Sequence, residues 1–133
     1  MKFRQLTAAD LPELMKIEHE LFPGEAWEEN SFRSELEGPF TDYFGAFENG
    51  LVGYAGLSSI PASYTSDIQT LAVTSSNQGK GLGRILAKKL ISKALALGSE
   101  AMFLEVRVDN DAAIGLYSSL GFEQIDVRKN YYQ

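Results

Sequence analysis

The stretch LAVTSSNQGKGLGRIL, Leu71 to Leu86, joins a strand-like run to a helix-like one through three glycines at alternating positions, Gly79, Gly81 and Gly83. Bare backbone at a helix entrance suits the close approach of another group. A helix start offers N–H groups without intrahelical partners and the positive end of the helix dipole, so a phosphate fits first. Lys80 and Arg84 add positive charge at the same place. The spacing is not G-x-G-x-x-G, since position 84 is arginine, and no glycine-lysine-serine or glycine-lysine-threonine triplet follows as in a Walker A loop. A dinucleotide fold would also place its loop after the first strand, whereas this one follows the fourth. A glycine-rich turn that only carries the chain from strand to helix is the competing reading.

Working outward, Gly81 to Leu97 reads as the clearest helix, with Leu82, Ile85, Leu86, Leu90, Ala94 and Leu97 on one side and Gly98 as a left-handed terminator. Asp67 to Val73 is the strand before the loop. Tyr43 to Phe47 and Leu51 to Ser58 are strands joined by Glu48-Asn49-Gly50, a hairpin turn with Asn-Gly chemistry. Met1 to Leu6 reads as a short strand. Thr7-Ala-Ala-Asp10 fits a capping box ahead of Leu11, Leu14, Ile17 and Leu21, and Phe22-Pro23-Gly24 ends that helix. A shorter helix is expected from about Glu28 to Leu36. On the C-terminal side, Met102 to Val108 reads as a strand, Asp111 to Leu120 as a helix stopped by Gly121, and Phe122 to Arg128 as a last strand. The order βααβββαβαβ is that of a mixed α/β domain, not a doubly wound one.

A chain of 133 residues is enough for one domain with a single sizeable core. The net charge of −6 argues against broad nucleic-acid or anionic-membrane binding and suits a cationic substrate. There is no cysteine, which excludes disulfides, cysteine-based zinc sites and a cysteine nucleophile. The start MKFRQLTAAD has no apolar run of signal-peptide length, so the cytoplasm is the expected location. The only histidine, His19, falls on the first helix beside Glu18 and Glu20, where an exposed or half-buried role is expected, and no metal cluster is read.

The pattern LAV-(x4)-QGKGLG, followed one helix later by LEVRVDNDAAIGLYSSLGF, resembles the GNAT family of acetyl-CoA-dependent N-acetyltransferases. LEVR, the AAIxLYxSLGF helix and the terminal RKNYY resemble the branch that acetylates the N-terminal alanine of a small-subunit ribosomal protein. The likeness covers nearly the whole chain and is strongest from Leu71 to Tyr132. It implies the acyl-CoA N-acyltransferase fold, a central mixed sheet flanked by helices, as one domain over residues 1–133. It also implies a further loop and last strand beyond the NYY at 130–132. The sequence ends at Gln133, so that strand is expected to be missing from it.

The resemblance implies a loop, Gln78, Gly79, Lys80, Gly81, Leu82, Gly83 and Arg84, that binds the pyrophosphate of coenzyme A. Leu71, Ala72 and Val73 would border the pantetheine arm and acetyl group where that strand is splayed from the next. Asn110 matches a cofactor-contacting position, and an N-cap without further role is the alternative. Trp27 in AWEENSF and Tyr131 in RKNYY match the substrate side.

The chemistry needs an unprotonated amine, a polarised carbonyl and a protonated leaving thiolate. Without cysteine an acyl-cysteine relay is impossible, and direct transfer in a ternary complex is the economical route. A peptide α-amine, with a pKa of roughly 8, needs less help than a lysine near 10.4. Glu105 lies in a strand whose other face carries Met102, Leu104, Val106 and Val108. It either pairs with Arg107 or a nearby lysine, or, as its match to LEVR implies, serves as the base. Tyr117 shares a helical stripe with Ala113 and Leu120. It is either a plain core tyrosine or, by the same resemblance, the acid that protonates the coenzyme A sulfur. A different amine acceptor, or an acyl-CoA-binding module without catalysis, are the alternative functions. The partners expected are acetyl-CoA and a protein N-terminus, with no nucleic acid, membrane or metal.

Overall fold

The computed structural model describes residues 1–24, 28–106 and 110–123. The strands are β1 (Lys2–Gln5), β2 (Thr41–Phe47), β3 (Leu51–Ile60), β4 (Thr65–Val73) and β5 (Ala101–Phe103). The helices are α1 (Leu11–Leu21), α2 (Glu29–Glu37), α3 (Leu82–Ala96) and α4 (Asp111–Ser119). The strands form one sheet in the order β1-β2-β3-β4-β5, antiparallel except for the parallel β4–β5 pair. The mixed sheet flanked by helices is the architecture expected from the sequence.

Local chemistry explains the boundaries. Thr7 and Asp10 form the anticipated capping box, and Arg4 holds the Asp10 carboxylate at 2.7 and 2.9 Å. That guanidinium, and the Thr7 amide after it, keep the Asp10 carboxyl below its usual range against the opposing effect of burial. Asn49 and Gly50 both take positive φ, at 56° and 118°, as the hairpin turn requires. Gly98 at φ 86° closes α3.

The sheet carries a core on each face. α1 and α2 bring Leu11, Leu14, Ile17 and Phe32 onto Tyr43, Leu51, Tyr54 and Ala72. α3 and α4 bring Leu86, Leu90 and Tyr117 onto Ala46, Ala55, Leu57 and Ile68 on the opposite face. Alternation along β3 produces the split, with Tyr54 facing one way and Ala55 the other. Gly56 is required here, because a side chain at that position would lie 2.3 Å from the Tyr43 ring. On the first face the Tyr54 hydroxyl donates to buried Glu18, and the Tyr43 hydroxyl donates to Glu35 at 3.3 Å.

Two irregularities in β4 prepare the site. Gly56 pairs with Thr70 and Leu57 with Ile68, so Gln69 is an extra residue, a β-bulge. Ile68 and Leu71, three residues apart, therefore both pack on the α3–α4 side. Secondly, β4 and β5 pair over only Thr65–Ala101, Ser66–Met102 and Asp67–Phe103, after which β4 runs on to Val73. The strand expected from Met102 to Val108 is thus shorter: Leu104, Glu105 and Val106 make no ladder with β4, because the two strands have parted. Arg107, Val108 and most of the expected last strand lie outside the described residues, and Phe122 and Glu123 are not in a strand.

Candidate active site

The glycine loop follows β4 directly. Gly79 and Gly81 adopt φ of 81° and 82°, backbone that a side chain strains. A side chain at either position would meet no atom within 4 Å, so both flank open space. Gly83 differs from Gly79 and Gly81 in its surroundings. Its side of α3 faces Leu116 and Leu71, which an added Cβ would touch at 3.5 and 3.6 Å. Both are ordinary packing distances.

Ile85 is the amide that donates to Gly81 O, at 3.2 Å. The amides of Leu82, Gly83 and Arg84 before it are those that a helix start leaves without an intrahelical acceptor. Gln78 reaches back, its Nε2 donating to Val73 O at 2.9 Å, and so fixes the loop to the end of β4. Lys80 Nζ donates to Asn77 Oδ1 at 3.2 Å, and Arg84 Nη2 donates to Ser119 Oγ at 2.6 Å, which joins α3 to the end of α4. Both cations stay exposed beside the open amides.

One edge of Leu71, Ala72 and Val73 pairs with Ala55, Tyr54 and Gly53 of β3. The other edge faces the gap left by β5, so its alternate backbone groups are available to a molecule lying in that gap. Asn110 caps α4, its Oδ1 accepting from the Ala113 amide at 3.1 Å. The cap is therefore real, whatever else the side chain does.

Tyr117 is 9% exposed and belongs to the core on the α3–α4 side, with Leu71 and Leu104 packed against the same cluster. Its ring meets Phe122 edge-on at 5.7 Å. Burial pushes its phenol pKa up, so the hydroxyl holds its proton at neutral pH. Glu105 is exposed, and because Leu104 joins that cluster, alternation sends Glu105 to the α1–α2 side. The gap thus has Tyr117 on one side and Glu105 on the other.

Sequence reasoning missed Asp67. Burial raises its carboxyl pKa, and the charge of Glu105 adds to the rise. The available signal was position: Asp67 opens the strand read before the loop, and Ile68-x-x-Leu71, an apolar spacing of three inside a strand, marks the bulge beside it. Trp27 and Tyr131 lie outside the described residues.

Charge is divided across the sheet. α1 and α2, with Glu28, carry seven carboxylates against Lys16 and Arg33. Lys80 and α3 carry five cations and no carboxylate.

Against this geometry, residues 11–122 match the acetyltransferase (GNAT) family. The chain belongs to the GNAT acetyltransferases. N-alpha-acetyltransferase RimI of Mycobacterium tuberculosis (strain ATCC 25618 / H37Rv) is 39% identical to it over 132 residues, 96% of this chain and 82% of that protein. The [ribosomal protein bS18]-alanine N-acetyltransferase of Escherichia coli (strain K12) is 35% identical over 129 residues, 96% and 84% of the two chains. The crystal structure of the ribosomal-protein-S18-alanine N-acetyltransferase from Escherichia coli superposes with a TM-score of 0.88 at 33% identity, covering 98% of this chain and 83% of that one.

GNAT acetyltransferases use acetyl-CoA as co-substrate. The donor set of this chain fits that molecule. The helix-start amides with Lys80 and Arg84 suit its phosphates, and the free edge of β4 suits its amide-bearing arm.

Proposed function

We propose that this GNAT acetyltransferase transfers the acetyl group of acetyl-CoA directly to the N-terminal α-amine of a protein, in a ternary complex in the cytoplasm. The acceptor is the N-terminal alanine of a small-subunit ribosomal protein. The observation that carries the reading is the gap between β4 and β5, with Tyr117 on one side and Glu105 on the other. The named relatives support the acceptor.

In this reading Glu105 takes a proton from the incoming amine, directly or through water. The freed lone pair attacks the thioester carbonyl, a C–N bond forms and the C–S bond breaks. Tyr117, kept protonated by burial, donates to the departing sulfur. No covalent enzyme intermediate is needed, in keeping with a chain that has no cysteine. Gln78 to Arg84 hold the phosphates, while Leu71 to Val73 align the arm by backbone contacts and Asn110 adds a polar contact beside it. Trp27 and Tyr131 contribute to the acceptor side.

The test is mass spectrometry of peptides incubated with acetyl-CoA, with free thiol measured in parallel. A peptide with N-terminal alanine and internal lysine should carry acetyl on its α-amine. Acetylated lysine alone, or acetyl-CoA binding without thiol release, overturns the reading.

A further inference from the structure

Of the eight large apolar side chains exposed among the described residues, four line one cavity. Tyr64 is 60% exposed, and Phe40, Leu97 and Ile60 are 57%, 50% and 48% exposed. Tyr64 stands there in left-handed backbone, φ 54°, in the turn from β3 to β4. A bulky residue strains that conformation and glycine would relieve it. The strain is held in place from both sides, Tyr64 N donating to Pro61 O at 3.2 Å and Tyr64 O accepting from Glu100 N at 2.7 Å. A turn that served folding alone would not present an aromatic ring to water in this way.

A groove continues the surface along α3. Ile85, Lys88, Lys89 and Ser92 recur at helical spacing, and with Lys93 and Phe44 of β2 they line it. Lys89, Lys93 and Leu97 are each four residues apart, so the lysine row runs into the apolar cavity. Lys93 Nζ lies 3.8 Å from Asp42, but among the described residues Lys88 and Lys89 have no carboxylate partner. Lys89 instead rests over the Phe3 ring at 5.1 Å.

This surface stands apart from the reaction. Ser59 lines the cavity and alternates with Leu57, which places it on the α3–α4 side, across the sheet from Glu105. The fifteen residues of α3 put roughly 22 Å between Leu97 and the glycine loop. At about 80 Å³ the cavity falls well short of the roughly 300–1,000 Å³ of a small-molecule site and suits one anchoring side chain of a protein.

Charge narrows the choice of partner, since the lysine row calls for carboxylates beside that anchor. A second copy of this chain does not supply both. Two-fold pairing centred on the groove would set lysine against lysine. Head-to-tail pairing would offer the carboxylates of α1 and α2, yet none of the large exposed apolar side chains lies on those helices.

We propose that this surface docks a different protein, through an acidic segment with one apolar anchor. The anchor, the size of leucine or methionine, enters between Phe40, Ile60, Tyr64 and Leu97, and the carboxylates lie along Lys88, Lys89 and Lys93. The glycine loop and the β4–β5 gap stay uncovered, so the docked enzyme still turns over. Docking adds a location and leaves the rate alone.

The test uses an array of N-acetylated, helix-length peptides of random sequence, tethered by their C-termini. Acetylated ends keep them from acting as acceptors. Full-length protein with coenzyme A present is applied as wild type, Tyr64→Gly and the double variant Lys88→Gln/Lys89→Gln. Tyr64→Gly relieves the backbone strain, so it should fold at least as well as wild type. The peptides retained by wild type should combine Asp or Glu with a leucine or methionine, and each variant should bind them roughly tenfold more weakly or worse. Their affinity should fall with added salt in wild type and fall less in the lysine variant. Acetyl transfer to an alanine peptide should be unchanged in both variants and with a docked peptide present. Retained peptides that are basic, that lack an apolar residue, or that bind both variants as they bind wild type overturn the proposal, as does an array that retains none. Tighter binding of a single-stranded RNA at the lysines than of any peptide gives the groove to nucleic acid and overturns it too. A wild-type dimer that Tyr64→Gly converts to monomer in sedimentation gives the surface to a second copy, with the same consequence.

Discussion

Removing the Tyr117 hydroxyl tests the acid role against a purely structural one. The choice of substitution follows from packing. Tyr117 is 9% exposed in a cluster with Leu57, Ile68, Leu86 and Leu90. Truncating a large buried aromatic to alanine costs about 3–5 kcal/mol, and the lost edge-on contact with Phe122 adds about 0.5–1.5 kcal/mol. A domain of this size has about 5–15 kcal/mol of stability in total, so Tyr117→Ala would confuse lost catalysis with unfolding. Tyr117→Phe keeps the ring, the cluster and the Phe122 contact, and removes only the proton donor. A coenzyme A thiol with a pKa of roughly 8.5 is a fair leaving group, so donation should help without being indispensable. The expected outcome is a kcat lower by roughly 10- to 10²-fold, at or below the usual span for a positioned acid. The KM for acetyl-CoA and the urea midpoint should move little. The raised phenol pKa adds a second expectation: wild-type kcat should show no alkaline decline attributable to Tyr117 up to about pH 10, the ordinary value for a phenol. Steady-state kinetics and urea unfolding on one preparation give the answer. Near-wild-type kcat with an unfolding free energy lowered by about 1 kcal/mol would assign Tyr117 a hydrogen bond in the core and refute its role as acid.

Gly81→Val places a branched side chain at φ 82°, a strain of about 1–2 kcal/mol, and projects it into the space before the helix-start amides. Calorimetry should show much weaker acetyl-CoA binding by a protein that still folds. Glu105→Gln should lower kcat by roughly 10²-fold at pH 7, and the deficit should shrink toward pH 9.5 as free amine becomes abundant. A constant mutant-to-wild-type ratio across that range would count against the base role. Asp67→Asn should raise the urea midpoint at pH 7, since a carboxyl whose folded pKa lies above its unfolded value loses stability as pH rises through the folded one. That gain should vanish in acid below the ordinary value of 3.8, where Asp67 is protonated in both states. For an acceptor peptide rich in lysine or arginine, KM should rise several-fold between low and high salt as the carboxylates of α1 and α2 are screened.

What the sequence discloses and what it hides follow from the range of the forces involved. The elements around the loop were readable because their signals are local. Leu82 to Leu97 repeats at helical spacing, Asn49-Gly50 demands a tight hairpin, and Thr7 with Asp10 forms a box within four residues. Gly79 and Gly81 were readable for the same reason, since positive φ favours glycine whatever lies nearby. The neighbours of Gly83 were not readable, because they are non-local: Leu116 arrives from another helix thirty-three positions away. The strand expected to reach Val108 shows the same limit. Met102 and Leu104 both pack on the α3–α4 side, as alternation predicts, but the ladder with β4 stops at Phe103, which alternation does not reveal. The bulge at Gln69 lies two residues past the last β4–β5 pair, and one unpaired residue turns the strand locally and increases its twist. It also sets which side chains share a face. Beyond the bulge, Leu71 again faces the α3–α4 core while Ala72 faces α1, and before it Asp67 is left on the Glu105 side. Shift β4 by one residue and Asp67 would turn into the α3–α4 core, an unpaired carboxylate among apolar side chains costing several kcal/mol. The single extra residue in β4, just past the point where the sheet parts, therefore keeps Asp67 on the same face as Glu105 and out of the apolar core.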